Sequence, residues 1–173
     1  MLVNELIRQT IEAGYVYRRD VKVIYDPAPR GKSIGAKRNE LLQKAMSDYV
    51  AFVDDDDRVE PTYIKNIMEG IEKGVDCCSL RGVYTENGNN PELFEHSIKY
   101  DAWVTNHTGQ IKYFRPPNHL SCIKTEIAKQ FVFPETNFGE DEAWSMAIKA
   151  SGLIKSEHFI DEIIYRYDFI PNK

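Results

Sequence analysis

Val3, Leu6, Ile7, Thr10 and Ile11 recur at the i, i+3, i+4, i+7, i+8 spacing of one helix face, so the chain opens with an amphipathic helix that Gly14 ends. A β-branched run over 21–25 predicts a strand, and Asp26-Pro27-Ala28-Pro29-Arg30-Gly31 a loop. A helix over about 33–46 is expected to bury Ile34, Leu41, Leu42 and Ala45. The apolar segment 49–53 predicts a second strand. Ile64, Ile67, Met68 and Ile71 mark a third helix, entered through Pro61, which suits an early helix position. A strand over 75–84 follows. Strands alternating with helices of this length imply an α/β fold with a mostly parallel sheet flanked by helices.

The pattern changes after that. Glu86-Asn87-Gly88-Asn89-Asn90-Pro91 is turn chemistry, and 98–114 reads as strands joined near Asn106-His107-Thr108-Gly109, a small antiparallel section in the second half. Further elements are expected as a short strand over 120–124, a short helix over 125–130, a firmer helix over about 140–150 and a closing strand over 163–169. No repeat, low-complexity segment or linker interrupts the chain, so residues 1–173 read as a single domain.

A net charge of -5 argues against general nucleic-acid binding, which shows as a basic excess. No apolar run approaches the roughly 18 residues of a membrane span, and the start lacks the basic-then-apolar layout of a signal peptide. Three cysteines, two of them adjacent at Cys77 and Cys78, fit free thiols in a reducing cytoplasm. Neighbours on a strand point to opposite faces and make a poor disulfide.

Candidate chemistry begins at Asp54-Asp55-Asp56-Asp57, directly after the apolar run Tyr49-Val50-Ala51-Phe52-Val53. Four carboxylates at the end of a buried strand repel one another, and a hard divalent cation such as Mn²⁺ or Mg²⁺ relieves that repulsion. Ligands of open α/β sheets also bind at the carboxyl ends of strands. The plainer alternative is a solvated acidic turn in which Asp57 caps the next helix. A calcium loop starting at Asp54 fails, because Val59 and Lys65 stand where Gly and Glu are required. Gly31-Lys32-Ser33-Ile34-Gly35-Ala36-Lys37-Arg38-Asn39 places cations around a helix start, a site suited to phosphate or simply a basic surface turn; it is not a Walker A motif. Gly139-Glu140-Asp141-Glu142 opens a helix where acids are favoured, and also offers a carboxylate general base. Of the four histidines, His119 could line a site and His158 could add a metal ligand. Trp103 and Trp144 read as packing residues.

Taken in order, Gly35-Ala36-Lys37-Arg38-Asn39, the strand ending in Asp54-Asp55-Asp56-Asp57, and Gly139-Glu140-Asp141 resemble the GT-A glycosyltransferases, most closely the family-2-like inverting enzymes. The resemblance covers about residues 20 to 168. It implies a GT-A-like, Rossmann-related fold with a nucleotide-binding part over 1–85 and an acceptor-side part over 86–173. It implies a metal-dependent inverting transfer from a nucleotide-sugar, UDP-linked by preference, to a hydroxyl. Asp54 and Asp56 match the Asp-x-Asp positions and would hold Mn²⁺ or Mg²⁺, Asp56 most directly. Asp26, Lys32, Lys37, Arg38, Asp54 and Asp55 form the implied nucleotide-binding set. Asp141 matches the catalytic base and Glu140 its neighbour. Family members begin with a strand bearing a Pro-Thr-Tyr-Asn type signature, whereas this chain begins with the helix that follows it. That implies a compact form with an open sheet edge, which a homodimer would cover. The other functions compatible with these motifs are a nucleotidyltransferase and a nucleotide-sugar-binding protein without turnover.

Overall fold

The structure is a computed structural model, and it describes residues 2–15, 21–27 and 31–170. Among the described residues five helices, α1 (Leu2–Glu12), α2 (Ile34–Lys44), α3 (Tyr63–Ile71), α4 (Thr125–Ala128) and α5 (Glu140–Ser151), surround one sheet. Its strands are β1 (Tyr49–Val50), β2 (Arg58–Val59), β3 (Cys77–Glu86), β4 (Asn89–His96), β5 (Val104–Thr105), β6 (Ile111–Arg115), β7 (Cys122–Lys124) and β8 (Glu157–Phe169). The α/β class holds, and the sheet is mixed: β3/β8 and β4/β6 pair parallel, while β1/β7, β2/β8, β3/β4, β3/β7 and β5/β6 pair antiparallel.

β3 is the spine. One of its edges runs beside β8 along its length; the other is shared, Cys77 and Cys78 pairing with β7 and Leu80 onward with β4. Asn87 and Gly88 close the β3–β4 hairpin with φ of 49° and 72°, the left-handed pair a type I′ turn requires. Successive residues face opposite sides, so Cys78 joins a core with Leu6, Ile64, Ile67, Leu80 and Tyr165, while Cys77 joins one with Leu42, Ile123, Phe133, Trp144 and Ile148. The adjacent cysteines therefore do lie on opposite faces, and all three thiols are free and buried. Among the described residues no helix is long and apolar enough to cross a membrane.

Several sequence expectations need correction. The run 21–25 enters no ladder; Val21 and Val23 pack against the first core without strand pairing. The second strand is laddered only at Tyr49 and Val50, after which Phe52 N–H donates to the His119 carbonyl at 3.0 Å and the chain turns into the site. β4 was not anticipated, because Pro91, Glu92 and Glu95 mask it; Glu95 is buried only because Arg81, Lys99 and Tyr100 satisfy it. The inner face of α1 is rotated from the apolar stripe: Leu6, Gln9 and Thr10 are buried while Ile7 and Ile11 are exposed. Gln9 is drawn inward because its side chain donates to the Glu60 carbonyl at 2.9 Å and accepts from Ile64 N–H at 3.1 Å, supplying the start of α3. Ile34 at the start of α2 is exposed rather than buried.

Candidate active site

The site forms where the turn after β1, the first turns of α2 and α5, and the 116–121 loop converge. Ser33 caps α2, its hydroxyl accepting from Ala36 N–H at 3.2 Å. One turn on, Arg38 is buried, and its Nη2 reaches both Asp54 oxygens at 2.8 and 2.9 Å. Its Nη1 donates to Glu140 at the start of α5. A fixed guanidinium fork suits this task, since one planar cation can hold two carboxylates from distant parts of the chain. Burial works against the Asp54 charge, but the imidazole of His119 and then Arg38 outweigh it and hold that carboxyl well below its ordinary range. Asn39, the next residue, exchanges two 2.9 Å hydrogen bonds with the Phe133 backbone and so fastens the strap leading to α5.

That strap fits tightly. A Cβ built on Gly35 would fall 1.8 Å from the Pro134 carbonyl oxygen, a clash with backbone that only glycine avoids. Gly35 N–H donates to the Thr136 carbonyl at 3.1 Å and Ile34 N–H to Asn137 Oδ1 at 3.0 Å. Two first-turn amides of α2 are thus spent on the strap and a third on Ser33, and the helix start is a joint between two parts of the site. Gly139, with φ of 76°, turns the chain into α5. There Glu140 is buried on Arg38 and Asp141 is part-exposed. His119 stands between the two acidic segments, its Nε2 at 3.3 Å from Asp54 Oδ2 and its Nδ1 at 3.6 Å from Asp141 Oδ2. Asp54, His119, Arg38, Glu140 and Asp141 therefore form one connected group.

Asp57 does not cap a helix; Thr62 occupies the N-cap position of α3. The Asp57 side chain turns inward, accepting from Tyr165 Oη at 2.6 Å and from Asp168 N–H at 3.3 Å, while Asp54 N–H donates to the same phenol oxygen at 3.2 Å. Burial pushes its carboxyl up to about 7, against the pull of Tyr165 and with help from Asp54 and Asp56. Between pH 3.8 and about 7 an unfolded Asp57 is ionised while the folded one keeps its proton, so this group makes stability fall as pH rises across that interval. At about 1.4 kcal/mol per pH unit the ceiling is about 4 kcal/mol. Urea unfolding in EDTA from pH 5.5 to 8.5 is expected to show Asp57→Asn gaining on the wild type as pH rises; parallel curves would show that burial does not control this carboxyl.

Other sequence candidates lie apart. Lys32 pairs with exposed Glu40, and the field of Asp26 reaches that lysine. Lys37 is half-buried on α2, one residue before Arg38. His158 lies beside Lys73, 3.0 Å from its Nζ, and packs on Gly70 of α3. Asp55 and Asp56 are exposed at the turn. Among the described residues no three or more His, Cys, Asp or Glu side chains converge as a metal cage. The turn nevertheless suits a cation of the Mg²⁺ type, which keeps waters and phosphate oxygens and takes one or two protein carboxylates. Asp56, exposed at the turn, and Asp54, whose oxygens also meet Arg38 and His119, are the residues that could hold it.

Sequence reasoning missed Tyr165 and Tyr167. They share one face of β8 by strand alternation, and both phenols are pushed up by burial and then by Asp57 and Asp54. The alternating Tyr165-Arg166-Tyr167-Asp168 run was the available signal. Trp144 is a packing residue as expected, stacked on Phe133 at 4.5 Å. Trp103 is half-buried, with the Arg115 guanidinium over its ring at 3.9 Å.

Comparison with known proteins bears on the fold and the family. The structure of Staphylococcus aureus TarS residues 1–349 in complex with UDP-GlcNAc matches with a TM-score of 0.63 at 20% identity, over 95% of this chain and 47% of that one. The same TarS segment in complex with UDP matches with a TM-score of 0.61 at 19% identity, over 94% of this chain and 48% of that one. The chain thus spans about half the length of these structures, and at such identity the likeness establishes the fold. No curated protein matches in sequence. The family model described as glycosyl transferase family 2 matches residues 5–148, a span holding the α2 signature, the acidic turn and the start of α5. With the three motifs joined through Arg38 and His119, the chain belongs to glycosyl transferase family 2.

Proposed function

We propose that this chain transfers a sugar from a nucleotide-diphosphate donor, a UDP-sugar, to an acceptor hydroxyl with inversion at the anomeric carbon, assisted by Mn²⁺ or Mg²⁺. The observation that carries this reading is the Asp54–Arg38–Glu140 bridge, which locks the acidic turn to the first turn of α5. His119 spans Asp54 and Asp141, and Asp56 is exposed at the same acidic turn. The likeness to TarS structures determined with UDP and UDP-GlcNAc supports the choice of nucleotide.

In this mechanism Asp56 would hold the cation, with Asp54 behind it on Arg38. When bound, the cation supplies charge stabilisation to the departing diphosphate. Asp141 accepts the proton of the acceptor hydroxyl as its oxygen attacks the face opposite the leaving group. Arg38 and Glu140 act as positioning residues, fixing the start of α5 so that Asp141 does not drift.

Titration calorimetry with UDP and GDP, with and without Mn²⁺, tests the donor half of this reading. Wild-type protein is expected to bind UDP only with Mn²⁺, and Asp56→Ala to lose at least tenfold in affinity. Failure to bind either nucleotide, or equal binding by Asp56→Ala, would overturn it.

A further inference from the structure

The arginines differ in how their charge is met. Arg8, Arg38, Arg81 and Arg166 each contact a carboxylate. Arg115, at the end of β6, is partly buried and among the described residues contacts none. It lies over the Trp103 ring at 3.9 Å and beside the Tyr113 ring at 5.2 Å, stacking that orients the plane of the guanidinium. Its backbone is fixed as well, pairing with His96 in the β4/β6 ladder and accepting from Ser97 N–H at 3.0 Å.

The platform is docked on the helix that bears Asp141. Trp103 Nε1 points to Ser145 Oγ at 3.5 Å, and Ser145 follows Asp141 by one helical turn; its hydroxyl donates to the Pro117 carbonyl at 2.9 Å. The field of Asp141 and Glu142 acts on Arg115 without an ion pair, and burial outweighs it, pulling the pKa of Arg115 below the ordinary arginine value. An incoming oxyanion would restore what burial removes. Tyr113, Tyr84 and Tyr167 continue as an aromatic wall, with ring centroids 5.1 and 5.6 Å apart, toward Asp57 and Asp54. Arg115 thus lies within the field of Asp141, on a platform docked against α5.

We propose that Arg115, braced by Trp103 and Tyr113, is the anion-recognition point of an acceptor subsite, so that the acceptor carries an oxyanion, phosphate or carboxylate, near the hydroxyl that receives the sugar. The assignment to the acceptor rests on the transferase reading above; the anion site itself is decided separately. Three probes share one hydroxyl scaffold: glycerol 3-phosphate, glycerate and glycerol. Each is titrated into the whole chain, with and without UDP and Mn²⁺, by following Trp103 fluorescence, with Trp103→Phe identifying the signal. One or both anions are expected to bind at least tenfold more tightly than glycerol, and the stronger of the two names the group recognised. Arg115→Met is expected to lose that preference with UDP affinity within twofold of wild type, and Arg115→Lys to keep part of it. Anions binding no better than glycerol, or unaffected by Arg115→Met, would overturn the proposal. Parallel loss of UDP and anion binding in Arg115→Met would overturn the acceptor assignment and give the cation to the donor. If wild-type protein binds the anions but never UDP, the transferase reading fails while the anion site stands.

Discussion

Arg38→Met is expected to destabilise the protein by about 3–5 kcal/mol, because it removes the cation and leaves its partners in place. Glu140 is buried to 4% exposure, and Asp54 shares the same guanidinium, so the variant would leave Glu140 buried without its cation and Asp54 with His119 alone. Against a typical total of about 5–15 kcal/mol the loss is severe. Lysine is expected to recover only part of it, since one ammonium cannot reproduce a planar fork that reaches both acids. Urea unfolding at pH 7 measures the effect, and the pair Arg38→Met with Glu140→Gln should cost less than Arg38→Met alone. A loss below about 1 kcal/mol would mean that solvent already screens the triad. Because the Asp54 carboxyl is held low, its contribution to stability is present above the ordinary value of 3.8 and is lost as pH falls below it. Acid should therefore narrow the gap between wild type and variant.

Asp141→Asn is expected to lower the rate of sugar transfer by about 10²–10⁴-fold while leaving UDP affinity and unfolding free energy near wild type. The side chain is part-exposed in the first turn of α5 and makes no hydrogen bond to His119 at 3.6 Å, so the amide costs little structurally. What it loses is the ability to accept a proton. Transfer is measured as UDP release from a panel of UDP-sugars in the presence of hydroxyl acceptors. Full activity in Asp141→Asn would remove the base from the mechanism. A matching fall in UDP affinity would show instead that the start of α5 had moved.

The two variants separate a residue that holds the site together from one that accepts a proton, and that separation shows where sequence reading reached its limit. Asp54-Asp55-Asp56-Asp57 was legible as a site because four like charges after an apolar run are a conflict visible in one dimension. The helices α2, α3 and α5 were legible from periodicity and punctuation, and Gly139 before three acids marked the start of α5. Within the acidic run, though, the four aspartates look alike. Only the fold distinguishes them: Asp54 is held by Arg38 and His119, Asp55 and Asp56 face outward, and Asp57 is turned inward onto Tyr165.

Arg38 shows the same limit. Its place among Lys32, Lys37 and the glycines suggests phosphate, whereas its partner Glu140 lies 102 residues away. Gly35 likewise looks like a phosphate-loop glycine and is required by the Pro134 carbonyl pressed against α2. Trp103 read as a packing residue, and Arg115 carried no signal, because a lone arginine after a strand has meaning only when its neighbours in space are known. By itself, the sequence determined the local periodicities, the turn chemistry and the family motifs, all set by residues within one or two turns of each other. The tertiary structure alone decided which charges are paired, which amides are spent and that Arg115 meets aromatic rings rather than a carboxylate among the described residues, because burial and charge compensation are properties of contacts between distant segments.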